Sequence, residues 1–125
     1  MREAIETKQA PAPIGPYSQA IRANGFVFVS GQIPLNPATG DIAGADIEAQ
    51  TQQVMSNLAA ILQAAGSSLD KTVKTTVFLA DLDDFPVFNK VYAEFLGSAR
   101  PARATVQVSR LPKGVLLQVD AVALA

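Results

Sequence analysis

Two side chains near the C-terminus, Arg103 and Asp120, have the types and spacing to do chemistry. Arg103 sits between Ala102 and Ala104, and Asp120 lies in the run Leu117-Gln118-Val119-Asp120-Ala121. A guanidinium buried among small residues, as is expected of Arg103, needs an anion, and its planar fork grips a carboxylate through two parallel hydrogen bonds. A nearby carboxylate can take a proton from water and pass it on. The runs that carry them flank Leu111-Pro112-Lys113-Gly114, which is written like a hairpin with a longer loop. Folding about Pro112 predicts Arg103 and Asp120 within about one residue of each other across the ladder, close enough to share one small site. Ala104, Val106 and Val108 alternate with Arg103, Thr105 and Gln107, and Val115, Leu117, Val119 and Ala121 with Gln118, Asp120 and Val122. One face of the hairpin is therefore expected to be apolar, while the other carries the arginine and the carboxylate. From the residues alone two readings stay open: Arg103 anchors a ligand, or it makes a structural ion pair with Asp120 or another subunit.

The totals narrow the chemistry. The chain has 125 residues, 49% of them hydrophobic, and contains neither histidine nor cysteine. An imidazole base, a thiolate nucleophile, a disulfide and a thiolate metal site are all excluded, and no metal is expected. The length fits one domain, 1–125. With a net charge of −1 and a pI near 5.2 there is no basic footprint for nucleic acid or an anionic membrane. No apolar run approaches a membrane span, and residues 1–8 mix charges of both signs without the apolar core of a signal peptide. The expected setting is cytoplasmic.

The elements that must position these residues follow from local pattern. Residues 1–8 suggest a short strand, and Gln9 to Pro16, with prolines at 11, 13 and 16, an extended loop. Residues 17–23 and 26–30 flank Asn24-Gly25, the pair favoured in a type I′ hairpin turn. Gly31 follows, where backbone or ligand can come close. Ile33 to Ala45 is a loop with Pro34, Pro37, Gly40 and Gly44. Asp46 caps a helix whose stripe is Ile47, Thr51, Val54, Leu58, Ile61, Leu62 and Ala65, with Gln50, Gln53, Asn57 and Gln63 off that stripe and Gly66 as the stop. Residues 72–79 read as a strand, and Asp81 to Asp84 open a second helix with a stripe of Phe85, Phe88, Tyr92, Phe95 and Leu96. The order hairpin, helix, strand, helix, hairpin predicts an α+β fold, a mixed sheet with both helices on one face. The other face would carry Phe26, Phe28 and Phe78 or their neighbours beside Thr105, Gln107 and Gln118. That is too apolar for water, so further subunits are expected to cover it and to set Arg103 in a cleft between them.

Four stretches carry a resemblance: Pro13-Ile14-Gly15-Pro16-Tyr17-Ser18-Gln19-Ala20, Val29-Ser30-Gly31-Gln32-Ile33-Pro34, Val73 to Leu79, and Arg100-Pro101-Ala102-Arg103-Ala104-Thr105-Val106 with Leu111-Pro112-Lys113-Gly114. Together, in order and over essentially the whole chain, they resemble the reactive-intermediate deaminase (RidA, YjgF-like) family. The resemblance implies a chorismate-mutase-like fold assembled as a homotrimer with intersubunit sites. It implies hydrolysis of 2-imino acids and their 2-enamine tautomers, such as 2-iminobutanoate and 2-iminopropanoate, to 2-keto acids and ammonia, without a cofactor. By position it places substrate binding on Tyr17, Ser30, Gly31, Asn89, Arg103 and Thr105, and catalysis on Arg103 and Asp120. Without it, Tyr17 reads as a packed ring, Ser30 and Thr105 as ordinary strand residues, and Asn89 as a solvated helix residue. A trimer that binds small carboxylates without turnover is the alternative. RNA cleavage, reported for some relatives, is disfavoured by the missing histidine and the acidic pI.

Overall fold

A computed structural model describes residues 2–125. The strands are β1 (Arg2–Ile5), β2 (Ala20–Ala23), β3 (Phe26–Gln32), β4 (Thr72–Leu79), β5 (Ala102–Gln107) and β6 (Leu117–Leu124), and the helices α1 (Ile47–Ala64) and α2 (Phe85–Leu96). They form one six-stranded sheet in the order β1-β2-β3-β6-β4-β5, antiparallel throughout except for the parallel pair β4–β5. Val27, Val29, Val77, Leu79, Leu117, Val119, Ala121 and Ala123 point to one face, where they share a single core with Val54, Leu58, Ile61 and Leu62 of α1 and Phe88, Tyr92 and Leu96 of α2. Both helices therefore cover the same face, as the order of elements predicts. No helix is long and apolar enough to cross a membrane among the described residues.

Local signals act where the sequence places them. Asn24 and Gly25 take φ of 51° and 82°, closing the β2–β3 hairpin with Ala23 opposite Phe26. The Asp46 carboxylate accepts a hydrogen bond from Ala49 N at 2.8 Å and caps α1. β2 is shorter than the run 17–23 because Gln19 is diverted. Its buried amide donates to Thr7 O and Pro11 O and accepts from Thr7 N, pinning the proline-rich loop to the sheet. Gln50 and Asn57, polar and off the predicted stripe of α1, are nevertheless buried. Asn57 donates to Leu35 O at 3.1 Å, and Gln50 donates to Gly44 O and accepts from Leu116 N. These amides satisfy backbone groups of loop 33–45 and of the approach to β6, so burial leaves them paired.

The C-terminal hairpin does not form. β4 lies between β5 and β6, with Thr75 opposite Arg103 on one side and Thr76 opposite Asp120 on the other. The physical reason is the helix before β5. A strand, a crossover helix and a second strand return the chain parallel to the first, so α2 delivers β5 alongside β4, and residues 108–116 then carry the chain past it. β4 is rich in β-branched residues and suits a position paired on both edges. As a result Arg103 and Asp120 lie two strands apart and on opposite faces. Arg103 shares the face of buried Thr75, beneath α2, whereas Asp120 shares the open face with Thr76. The apolar alternates of the two strands also separate, with those of β6 in the core and Val106 of β5 exposed on the open face. Gln107, expected on the open face, instead accepts from Leu82 N on the helix side. Phe26, Phe28 and Val106 remain 37%, 46% and 44% exposed on the open face, which is the uncovered apolar surface that composition and pattern predict.

Leu58 on α1 is fully buried at the centre of the core. Leu58→Ala is expected to lower unfolding free energy by about 2–5 kcal/mol, read from the denaturant midpoint with an unchanged slope.

Candidate functional site

The residues singled out by sequence gather in two places. On the helix side, α2 sets Phe85, Phe88, Asn89 and Tyr92 on one face through spacings of three and four, and β5 lays Arg103 across them. The guanidinium carbon is 4.9 Å from the Tyr92 ring centroid, 5.3 Å from Phe85 and 5.9 Å from Phe88. Each is within the range of cation–π attraction, worth about 0.5–1 kcal/mol at an exposed site. Nη1 donates to Asn89 Oδ1 at 2.8 Å. The Tyr92 hydroxyl is in turn tied to buried Thr75 Oγ1 at 2.8 Å, which fixes the ring. No carboxylate neutralises Arg103, since the one ion pair among the described residues joins Arg22 to Glu3. Arg103 opens onto a hollow of about 410 Å³ whose lining includes Asn89, Tyr92, Leu96 and Pro101. The arrangement is a fixed cation with one plane packed, one nitrogen tethered and remaining donors free for an anion.

The second place is on the other side of the molecule. Tyr17, Ser30 and Gly31 line a hollow of about 360 Å³ with Ile14, Ile33, Pro112 and Gln118. The β3–β6 register shifts between Val29 and Gln32, and this irregularity, of a kind common beside functional sites, presents Ser30 and Gly31 to the hollow. Ser30 Oγ donates to Ser18 O at 2.6 Å, and Tyr17 OH accepts from Ile14 N at 3.2 Å, so the loop and the strand brace one another. A Cβ on Gly31 would stand 2.5 Å from Gln118 Nε2. Only glycine lets the Gln118 carboxamide lie against the strand there.

Two of the predicted site residues fall outside both hollows. Thr105 is on the face of Arg103, and its Oγ1 is buried without a partner. Asp120 is two residues along β6 from Gln118, beside Thr76 and Lys74, and burial raises its carboxyl above the ordinary value despite Thr76 and Lys74 opposing that shift. Because its folded pKa is raised, ionising Asp120 costs stability as pH climbs from 3.8 through the folded value. Gln118, not Asp120, faces the Tyr17–Ser30 hollow. Alternation puts both on one face and only the register chooses between them, so the local pattern does not single out Gln118. Within one protomer the two hollows cannot serve one small ligand. β3 and β5 are three strand spacings apart in the sheet, roughly 14 Å, and Arg103 and Gln118 project from opposite faces.

Comparison with known proteins agrees with this fold along its whole length. A family model described as Endoribonuclease L-PSP matches residues 7–125. A RutC family protein of Pyrococcus horikoshii is 55% identical over 98% of each chain. The Rid-family protein YyfA of Yersinia pestis superposes with a TM-score of 0.98 at 48% identity, covering 100% of each chain. E. coli TdcF, solved with bound serine, superposes with a TM-score of 0.94 at 44% identity over 98% of each chain. With its fold, its motifs and its nearly full-length matches in accord, the chain belongs to the Endoribonuclease L-PSP family, which takes in the RutC and Rid proteins.

Proposed function

We propose that this protein hydrolyses 2-imino acids and their 2-enamine tautomers, such as 2-iminopropanoate and 2-iminobutanoate, to 2-keto acids and ammonia, without a cofactor. The observation that carries the reading is Arg103, an arginine paired with no carboxylate among the described residues and held by three rings and Asn89. A substrate carboxylate supplies the missing charge through hydrogen bonds worth about 1.5–3 kcal/mol each. An imine carbon is already electrophilic, so orientation is the main demand. Water adds to that carbon, both protons of the added water pass in turn to the nitrogen, and the C–N bond breaks as the C=O forms, leaving a keto acid and ammonia. Tyr17, Ser30 and Gln118 are neutral groups that can hold the water by hydrogen bonds. Asp120 has no place in these steps, because it lines neither hollow. The serine bound by TdcF carries the same α-carboxylate head group, which supports the choice of ligand class.

The two hollows become one site if the Arg103 side of one protomer meets the Gly31 side of its neighbour. A homotrimer is the assembly we propose, its open sheet faces covering one another, in a cytoplasmic setting. One observation favours a second reading, a carboxylate-binding trimer without turnover, because neither hollow is lined by a carboxylate, imidazole or thiol. The net charge of −1 and the missing histidine argue against RNA as substrate.

Imines generated in situ from alanine separate these readings. Wild type is expected to accelerate keto-acid release, and Arg103→Ala to lower kcat/KM about 100-fold or more. Equal rates for the two would remove the proposed role, and binding of pyruvate without accelerated release would support the non-catalytic reading. Gly31→Ala pushes only the flexible end of Gln118, so it should keep the melting temperature within a few degrees while lowering kcat/KM about 10-fold or more.

A further inference from the structure

A second arginine lines the hollow of Arg103. Arg100 follows the end of α2, where Gly97 turns the chain at φ 59°. Its Nη1 donates to Gly97 O and to Ala99 O, which anchors the side chain on the carbonyls at the helix terminus. That contact favours the negative end of the helix, but it occupies one nitrogen and leaves Nε and Nη2 free. Arg100 and Arg103 both line the 410 Å³ hollow, and none of its other lining residues is acidic. Neither arginine joins the single ion pair among the described residues. In a chain of net charge −1, two unneutralised guanidinium groups in one concavity create a local positive potential that selects anions.

The dimensions fit an anion with two ends. Pro101 fixes the backbone between the arginines, and three residues of extended chain keep their Cα atoms no more than about 10–11 Å apart. Two long side chains that reach one hollow from that spacing can grip both ends of a four- or five-carbon dicarboxylate. The hollow lies in the ~300–1,000 Å³ range that takes ligands well beyond three carbons. A single carboxylate needs only one bidentate fork, which leaves the second arginine without a partner.

Resting on the reading of Arg103 as the α-carboxylate anchor, we infer that Arg100 is a specificity-determining residue that selects 2-imino acids bearing a second, distal carboxylate, the chemical class of 2-iminosuccinate and 2-iminoglutarate. The bonds made and broken are those of the parent reaction: water adds across C=N, ammonia leaves, and a 2-oxodicarboxylate is released.

Calorimetry with two unreactive product analogues, pyruvate and 2-oxoglutarate, tests the pair of arginines independently of turnover. Wild type is expected to bind 2-oxoglutarate about 10-fold or more tightly than pyruvate, with the steeper loss of affinity as salt rises. In Arg100→Ala the ratio of the two affinities should fall to near one. Arg100→Gln, which keeps a donor for the helix terminus and removes the charge, should do the same and serves if the alanine variant does not fold. Equal affinities in wild type, no binding of either ligand, or an unchanged ratio in both variants would overturn the inference. Turnover of imines made in situ from alanine and from glutamate is the second arm. Hydrolysis of the alanine-derived imine with no preference for 2-oxoglutarate leaves the proposed function standing and removes this inference. A 2-oxoglutarate preference abolished in the Arg100 variants, with no turnover of either imine, keeps the inference and removes the catalytic reading.

Discussion

The packing of one guanidinium on the aromatic face of α2 is the interaction on which the rest of this structure turns. Arg103 is an exposed charge whose stem and plane are nonetheless immobilised, by Phe85, Phe88 and Tyr92 beneath and by Asn89 at its edge. Each contact is worth little, yet together they remove the rotamer freedom that binding would otherwise have to quench. The Thr75–Tyr92 hydrogen bond roots this arrangement in the central strand. It requires β5 to run parallel to β4 and beneath α2, so the parallel pair in an otherwise antiparallel sheet is what aims the cation.

That same topology separates the functional groups. β4 and β6 stand between Arg103 and the irregular stretch of β3 at Ser30 and Gly31, and the sheet itself blocks the direct line. A protomer presents two incomplete surfaces, one cationic and one neutral and polar. Its open face leaves phenylalanines in water and its outer strand β5 has unpaired backbone groups, a liability that proteins usually cover. Association would resolve the exposed apolar face and the divided site together.

Much of the fold is legible in local pattern. Asn24-Gly25 specifies its turn because both residues tolerate positive φ, and the stripe on α1 is buried at every position from Ile47 to Ala65 that the 3/4 spacing marks. Strand partnership is not legible in the same way. Alternation about Pro112 is compatible with a hairpin or with two strands divided by a third, and only the crossover through α2 decides between them. The site inherits that ambiguity. Arg103 stands out because a charge among alanines is conspicuous, whereas Gln118 differs from Asp120 only by the register of β6 against the shifted β3. Gln50 and Asn57 look solvated in sequence because their partners are backbone groups of distant loops, which no local pattern reveals.

The division of the site between protomers can be tested by mixing Arg103→Ala and Gly31→Ala chains, unfolding them together and refolding the mixture. Random assembly gives about one cleft in four an intact arginine from one chain and an intact glycine from its neighbour. Keto-acid release well above that of either variant alone is the expected result. A mixture no more active than the mean of its two components would mean that the two hollows never meet, and the composite site would have to be abandoned.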